Sequence, residues 1–331
     1  MSRTARQVRV LHVNDCAFTA ENLLKVAHER GLPWELLHLA ASGQSWVGSM
    51  ARARRAALGA VWLARLAERS WRADLLHVHF ATVVHHTRVI PRRYVLHAHG
   101  TDVRTLQYDD RYGPIVRRAM SGAAALVYST PDLAEHTLPR RPDAIYLPVP
   151  IDVDGAPTWS PKTQPRVFFA SRWDNAKGLP SQLAMAQQLL RAVGPDVTVT
   201  GLDWGPAAGA AREVGVHLLP RRDHAGYLSL LATSQVVVGQ SSGILAASDL
   251  EALAIGVPVV MTASHSLYAE DPPPVLDLAT ATTDDTVSQV IAALADPAAF
   301  ASRQQGRAWV AAHHGAPAQV DRLLELYRSL T

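Results

Sequence analysis

The stretch RVFFASRWDNAKGLPSQLAMAQQLLRAVGPDVTVTG, residues 166–201, decides the fold. It opens on a short apolar run, RVFFAS, and passes through a polar turn around Asp174 and Gly178. Apolar residues then recur at helical spacing in PSQLAMAQQLLRAVG, and a second apolar run, DVTVTG, closes the stretch. Strand, turn, helix, strand is a βαβ unit with parallel strands. The alternation extends both ways. Upstream lie VRVLHV (8–13), LLHVHF (75–80), YVLHAH (94–99), ALVYS (125–129) and AIYLPV (144–149); downstream lie GVHLLP (215–220), QVVVGQ (235–240) and GVPVVM (256–261). Amphipathic segments such as AENLLKVAHERG, DDRYGPIVRRAM and HAGYLSLLATS separate them. The chain therefore reads as α/β, with parallel sheets covered by helices on both faces.

The alternation breaks once. PVPIDVDGAPTWSPKTQPR (148–166) holds five prolines and little periodicity, which marks a linker between two doubly wound domains. A length of 331 residues agrees with two domains of about 100–200 residues each. A hydrophobic share of 48% with 18% charged residues fits a packed soluble core. The single cysteine, Cys16, excludes an intramolecular disulfide and suits a reducing compartment. The apolar run near the N-terminus is too short for a signal peptide, and no run approaches a membrane span, so a cytoplasmic location is expected. A net charge of +3 is too mild for a nucleic-acid partner.

Three motifs follow strands, where ligands of open α/β sheets bind. In SRWDNAKG, Arg172 precedes one of only three lysines, Lys177, at the turn into a helix. A guanidinium fork, a compact ammonium and a helix N-terminus together suit an anion such as a diphosphate. In GILAASDLEALAIGVPVVM (243–261), Glu251 lies in a helix expected over 245–255, placed to accept ribose hydroxyls. In YVLHAHGTDVR (94–104), His99 and Asp102 sit at a strand end. His97 and His99 are expected on opposite faces of that strand, as are His77 and His79 of LLHVHF. No histidine pair shows helical ligand spacing either, so no metal site is expected. No G-x-G-x-x-G, G-x-x-x-x-G-K-[ST] or G-x-S-x-G occurs, which disfavours nicotinamide enzymes, P-loop NTPases and α/β-hydrolases.

Together these motifs resemble the family-4 glycosyltransferases of the GT-B fold. Arg172, Lys177 and Gly178 match the family's Arg-x4-Lys-Gly. Leu250 through Val260 match its L-E-A-x-A-x-G-x-P-V-V run, with Glu251 as the second glutamate of E-x7-E. His99, Gly100 and Asp102 match H-G-x-D; Asp74, His77 and His79 match D-x-x-H-x-H; LPVPID keeps Asp152 of the family's I-P-N-G-V-D. The resemblance spans the chain and is strongest over 166–262. It implies two facing Rossmann-like domains with a cleft between them: 1–152 on the acceptor side, a linker at 153–165, 166–312 on the nucleotide-sugar side, and a C-terminal helix at 313–331 packing back on the first domain.

The implied activity is retaining, metal-independent sugar transfer from a UDP- or GDP-type donor to a small-molecule, glycan or lipid-linked acceptor, without a cofactor. Arg172 and Lys177 would stabilise the leaving diphosphate, Glu251 would hold the ribose, and His99 would sit near the donor sugar and acceptor hydroxyl. Asp15, Asp102, Ser242, Gly243, Ile244 and Leu245 are the further substrate-binding positions. Two features depart from the family. The first glutamate of E-x7-E falls on Gly243, with Gly239 and Gln240 in place of the preceding Pro-Ser. The glycine-rich first turn is replaced by NDCAFTAEN, so Asn14, Asp15 and Thr19 shape an unusual contact. These departures keep two other readings open: an epimerase or phosphorylase on the same fold, and a binding relative with reduced catalysis. The basic, Trp-containing segment 45–72, with Trp46, Trp62 and Trp71, reads first as a helix covering the sheet and second as a peripheral contact with the inner face of an acidic membrane. Trp204 and Tyr227 read as core before base-stacking.

Overall fold

The computed structural model describes residues 7–39, 49–268 and 271–331. They divide into two compact units, Met1–Pro150 with Ala316–Thr331, and Ile151–Gly315. In the first unit six parallel strands form one sheet in the order β2-β1-β3-β4-β5-β6. These are β1 (Val10–Val13), β2 (Trp34–Leu37), β3 (Leu75–His79), β4 (Tyr94–Ala98), β5 (Ala125–Tyr128) and β6 (Ile145–Tyr146). In the second, five parallel strands run in the order β11-β10-β7-β8-β9. These are β7 (Arg166–Phe169), β8 (Thr198–Leu202), β9 (His217–Leu219), β10 (Val236–Val238) and β11 (Val259–Val260). Parallel strands need crossovers, and the helices that supply them also cover the sheets. The central strands are accordingly buried on both faces, as in VLHV and VVV. Strand order reverses between β1 and β3 in one unit and between β7 and β10 in the other, and ligands of such sheets bind beyond these reversals.

The C-terminal helix Ala316–Leu330 completes the first unit. Its Ala316, Val320, Leu323 and Tyr327 join Leu23, Leu24, Ala27 and Trp34 in one core cluster. The Tyr327 and Trp34 rings meet edge to face at 5.2 Å, a contact worth about 1 kcal/mol beyond area burial. The helix Ser49–Arg72 covers the sheet through a narrow row only. Trp62 and Leu66 are buried, while Val61, Leu63 and Trp71 are exposed. Trp46 lies outside the described residues. No described helix is long and apolar enough to cross a membrane. Tyr227 is half-buried, its ring near Phe168 and its hydroxyl donating to the Ala170 carbonyl at 3.0 Å. Trp204 differs from the expectation: it is 39% exposed, with the Arg221 guanidinium 4.9 Å from its ring centre.

The turn after β1 lacks glycine yet uses glycine's conformations. Asn14, Ala17 and Phe18 all have positive φ, at 69°, 52° and 59°. Left-handed backbone costs an ordinary L-residue about 1–2 kcal/mol. Phe80, just after β3, has φ 80° and ψ 122°. The strained residues sit at the ends of β1 and β3, on either side of the strand-order reversal. Ala17 is exposed and packs no core, so Ala17→Gly is expected to raise stability by about 1 kcal/mol, read as a higher urea midpoint. An unchanged or lower midpoint would show that the turn relaxes to ordinary geometry.

Candidate functional site

In the second unit the Arg172–Lys177 turn leaves the end of β7. Trp173, fully buried, anchors it by donating from Nε1 to the Leu202 carbonyl at 3.2 Å. Arg172 on one side is partly exposed, and its Nε lies 3.1 Å from the Asp174 carboxylate. Asp174 also accepts from Ala176 N at 2.9 Å, so it shapes the turn and orients the guanidinium together. Lys177 closes a single 3-10 turn, Asn175–Lys177, and Gly178 at φ 75° starts the helix Leu179–Ala192. A side chain at 178 would be strained, and its Cβ would sit 2.4 Å from the Ser241 carbonyl oxygen. That close approach lets Ser241 N donate to the Lys177 carbonyl at 3.0 Å, tying the turn after β7 to the loop after β10.

That loop carries Ser242, Gly243, Ile244 and Leu245. Ser242 is exposed and Leu245 buried; Gln240 Nε2 donates to the Ile244 carbonyl at 2.7 Å, and Leu245 N donates to the Tyr268 hydroxyl at 3.2 Å. Gly243 has φ 81°, and a Cβ there would meet Leu278 at 2.9 Å. A glutamate at this position would be strained by the backbone alone, since the exposed Leu278 side chain can yield, so its absence belongs to the loop's shape. The helix expected over 245–255 runs Ala247–Ile255. Asp249 draws its start back by accepting from Ala246 N at 2.8 Å and Gln240 N at 3.3 Å. A Cβ on Gly239 would lie 2.9 Å from the Asp249 carboxylate, so glycine there makes room for it.

Burial pushes the Asp249 carboxyl up to about 6, against the opposing pull of the Ala246 N–H and the Lys177 charge. Its folded-state value lies above the unfolded one. Its stability contribution is thus full below about pH 4 and lost as pH rises through about 6. Relative to Asp249→Asn, the wild type is expected to lose urea resistance between pH 4 and pH 7. A flat difference across that range would contradict the raised carboxyl.

Glu251, 8% exposed, meets His224 Nε2 at 2.7 Å. His224 begins the helix His224–Ala232, whose N-cap Asp223 accepts from Gly226 N at 2.9 Å. Sequence reasoning missed His224 and Asp249. The first is 27 residues from its partner, and nothing local signals the pairing; the second is one more acidic residue on a helix. Within this unit Lys177, the 241–245 loop, Asp249, Glu251 and His224 thus form one connected neighbourhood.

In the first unit, Asp15 accepts from Ala20 N at 2.8 Å and caps the helix Thr19–Glu29. Asp102, fully buried, has both oxygens engaged by backbone. Oδ1 accepts from His99 N, Gly100 N and Val103 N, and Oδ2 accepts from Ala81 N, all at 3.0–3.1 Å. The carboxylate thereby fixes the turn after β4 to the turn after β3.

The expectation that His97 and His99, and His77 and His79, diverge is overturned. Side chains alternate along a strand, so residues two apart share a face. The His97 and His99 rings stack at 4.2 Å and those of His77 and His79 at 4.6 Å. Register adds a fifth ring, because His12 pairs with His77 between β1 and β3, while His79 pairs with His97 between β3 and β4. Two hydrogen-bonded chains result. His12 Nδ1 meets His79 Nε2 at 3.0 Å, and His79 Nδ1 meets His99 Nε2 at 3.0 Å. The Tyr327 hydroxyl meets His77 Nδ1 at 2.5 Å, and His77 Nε2 meets His97 Nδ1 at 3.1 Å. Burial keeps all five imidazoles neutral, with His12 and His99 lowered to about 3.

A neutral imidazole has one donor and one acceptor nitrogen. If the phenol donates, its chain ends on a stranded His97 Nε2–H; if the chain runs the other way, the phenol proton is stranded. His97 Nε2 and His12 Nε2 are indeed buried without a hydrogen-bond partner.

No family model and no curated protein sequence matches the chain. Solved structures do. Sucrose-phosphate synthase from Thermosynechococcus elongatus is 15% identical over 97% of this chain and 99% of its own, with a TM-score of 0.71. HepE from Anabaena, in complex with UDP and glucose, is 13% identical over 98% and 100%, with a TM-score of 0.68. A Listeria monocytogenes protein described as a UDP-N-acetylglucosamine 2-epimerase is 13% identical over 98% and 96%, with a TM-score of 0.61. At these identities the likeness establishes the fold: α/β, with parallel sheets in two Rossmann-like units, of the GT-B type.

Proposed function

We propose that the protein transfers a sugar from a nucleotide-diphosphate sugar to an acceptor hydroxyl with retention at the anomeric carbon. The observation that carries this reading is the tie between the Arg172–Lys177 turn and the 241–245 loop. These follow β7 and β10, the two strands at which the order of the second sheet reverses. As the bond between the anomeric carbon and the diphosphate oxygen breaks, negative charge grows on the diphosphate, and Arg172 and Lys177 stabilise that growth without a metal ion there. The acceptor oxygen bonds to the same carbon on the same face, and its proton passes to the departing phosphate oxygen. Glu251 takes the ribose hydroxyls, with His224 orienting the carboxylate; Ser242 to Leu245 line the donor, and His99 with Asp15 serves the acceptor side. UDP is the first nucleotide to test, because HepE is crystallised with it.

The glycine at 243 supports a second reading. The family contact to the donor sugar from that position is missing, which suits a different sugar or a nucleotide-sugar binder with reduced turnover. Thermal melts with UDP, GDP and ADP, with and without EDTA, test the common premise. One nucleotide at ~100 times its dissociation constant is expected to stabilise by about 2.7 kcal/mol. No shift with any of them would sink both readings, and a shift that EDTA abolishes would remove the metal-free clamp. Release of UDP from a UDP-sugar only when an acceptor is present then separates a transferase from a binder.

A further inference from the structure

We propose that the buried histidine cluster of the first unit binds one transition-metal ion of the zinc type through His79, His97 and His99. This inference does not rest on the sugar-transfer reading, whose cations lie in the other unit. The three imidazoles stand at the ends of the neighbouring strands β3 and β4, and each offers one nitrogen within 4.8 Å of the other two. Nitrogens of a tetrahedral zinc site lie about 3.3 Å apart, given bonds of about 2.05 Å. His79 Nδ1 and His99 Nε2 are 3.0 Å apart, so a few tenths of an ångström admit the ion.

Three observations favour an ion over a bare hydrogen-bonded network. His97 Nε2 is buried and has no hydrogen-bond partner, and a ligand bond would give it one, with His97 Nδ1–H then donating to His77 and the direction of the chain to the Tyr327 phenol fixed. The outer contacts are those of a metal site, where a ligating histidine gives its other N–H to an acceptor. His79 Nε2 faces His12 Nδ1 at 3.0 Å, and His97 Nδ1 faces His77 Nε2 at 3.1 Å. A counter-charge is also at hand. Asp102 accepts from the His99 backbone N–H, is fully buried, and pairs with no basic side chain among the described residues. Three neutral nitrogen ligands select zinc, copper, nickel or cobalt over magnesium or calcium. His99 alone of the three is partly exposed, so access and the fourth coordination position lie on its side. The ion would clip the end of β3 to the turn after β4, behind His99.

The test loads chelator-stripped protein with Zn2+ alone and Co2+ alone, removes free metal by desalting, and measures bound metal by mass spectrometry. One ion per chain is expected, with a four-coordinate visible spectrum for Co2+ and a raised melting temperature for Zn2+. His97→Phe and His99→Gln should each lower the affinity at least tenfold, while His217→Ala, an exposed histidine elsewhere, should not. His99→Gln guards against misfolding of the buried variant, and circular dichroism checks both. Less than about a tenth of an ion per chain, or equal retention in both variants and the wild type, would overturn the proposal and leave a hydrogen-bonded imidazole network.

Discussion

On the sugar-transfer reading, Lys177→Ala is expected to weaken UDP binding by about 10- to 100-fold and to lower turnover by a further ~100- to 1,000-fold. The first figure follows from losing a charge-assisted hydrogen bond worth about 1.5–3 kcal/mol. The second follows because charge on the diphosphate is larger in the transition state, where loss of one stabilising donor typically costs ~100- to 1,000-fold. Lys177→Arg is not expected to restore activity. The position closes a tight turn against Ser241, which suits a compact ammonium on a flexible stem better than a planar fork. Arg172→Ala should show the same pattern with a different accomplice. Asp174 loses its ion-pair partner but keeps its bond from Ala176 N, so the turn persists and the loss falls on binding.

Lys177→Ala carries one internal signature. Its charge is among the influences that draw the Asp249 carboxyl down, so its removal lets that carboxyl rise further and moves the pH dependence of stability upward. Calorimetry with UDP and a pH series of urea melts read the two effects separately. Unchanged UDP affinity in both Lys177→Ala and Arg172→Ala would end the clamp reading.

The lysine was legible in the sequence because lysine is so scarce there; its company was not. Ten strands of the two sheets follow from short apolar runs between helical segments. β2 was missed because WELL is four residues long, comes straight after Pro33, and alternates too briefly to declare a period. The candidate site in the second unit was half legible. Arg172, Lys177 and Glu251 stand in recognisable spacing, whereas His224 reaches Glu251 only through packing of two helices. The histidine cluster was the larger miss. Period two already places His77 with His79 and His97 with His99, and that step was open to sequence reasoning. The arrival of His12 beside His77, and of His97 beside His79, depends on the register of parallel strands, which no local pattern encodes.

Asp102→Ala should destabilise the first unit by about 3 kcal/mol or more, the largest single-residue effect on stability expected here. The carboxylate satisfies four backbone N–H groups from two separate turns, and its removal strands donors that cost about 1–3 kcal/mol each wherever water cannot replace it. Asp102→Asn should fall between. Its one carbonyl oxygen keeps part of the set, but its amide turns a donor toward N–H groups that need an acceptor. At roughly 2–4 °C per kcal/mol for a unit of this size, the alanine variant should melt at least about 6 °C lower. The loss should also reach the site, because the same four bonds hold His99 against the end of β3. A variant that melts with the wild type would mean that water enters the turn and takes over the carboxylate's bonds, in which case the His99 turn is held by strand pairing alone.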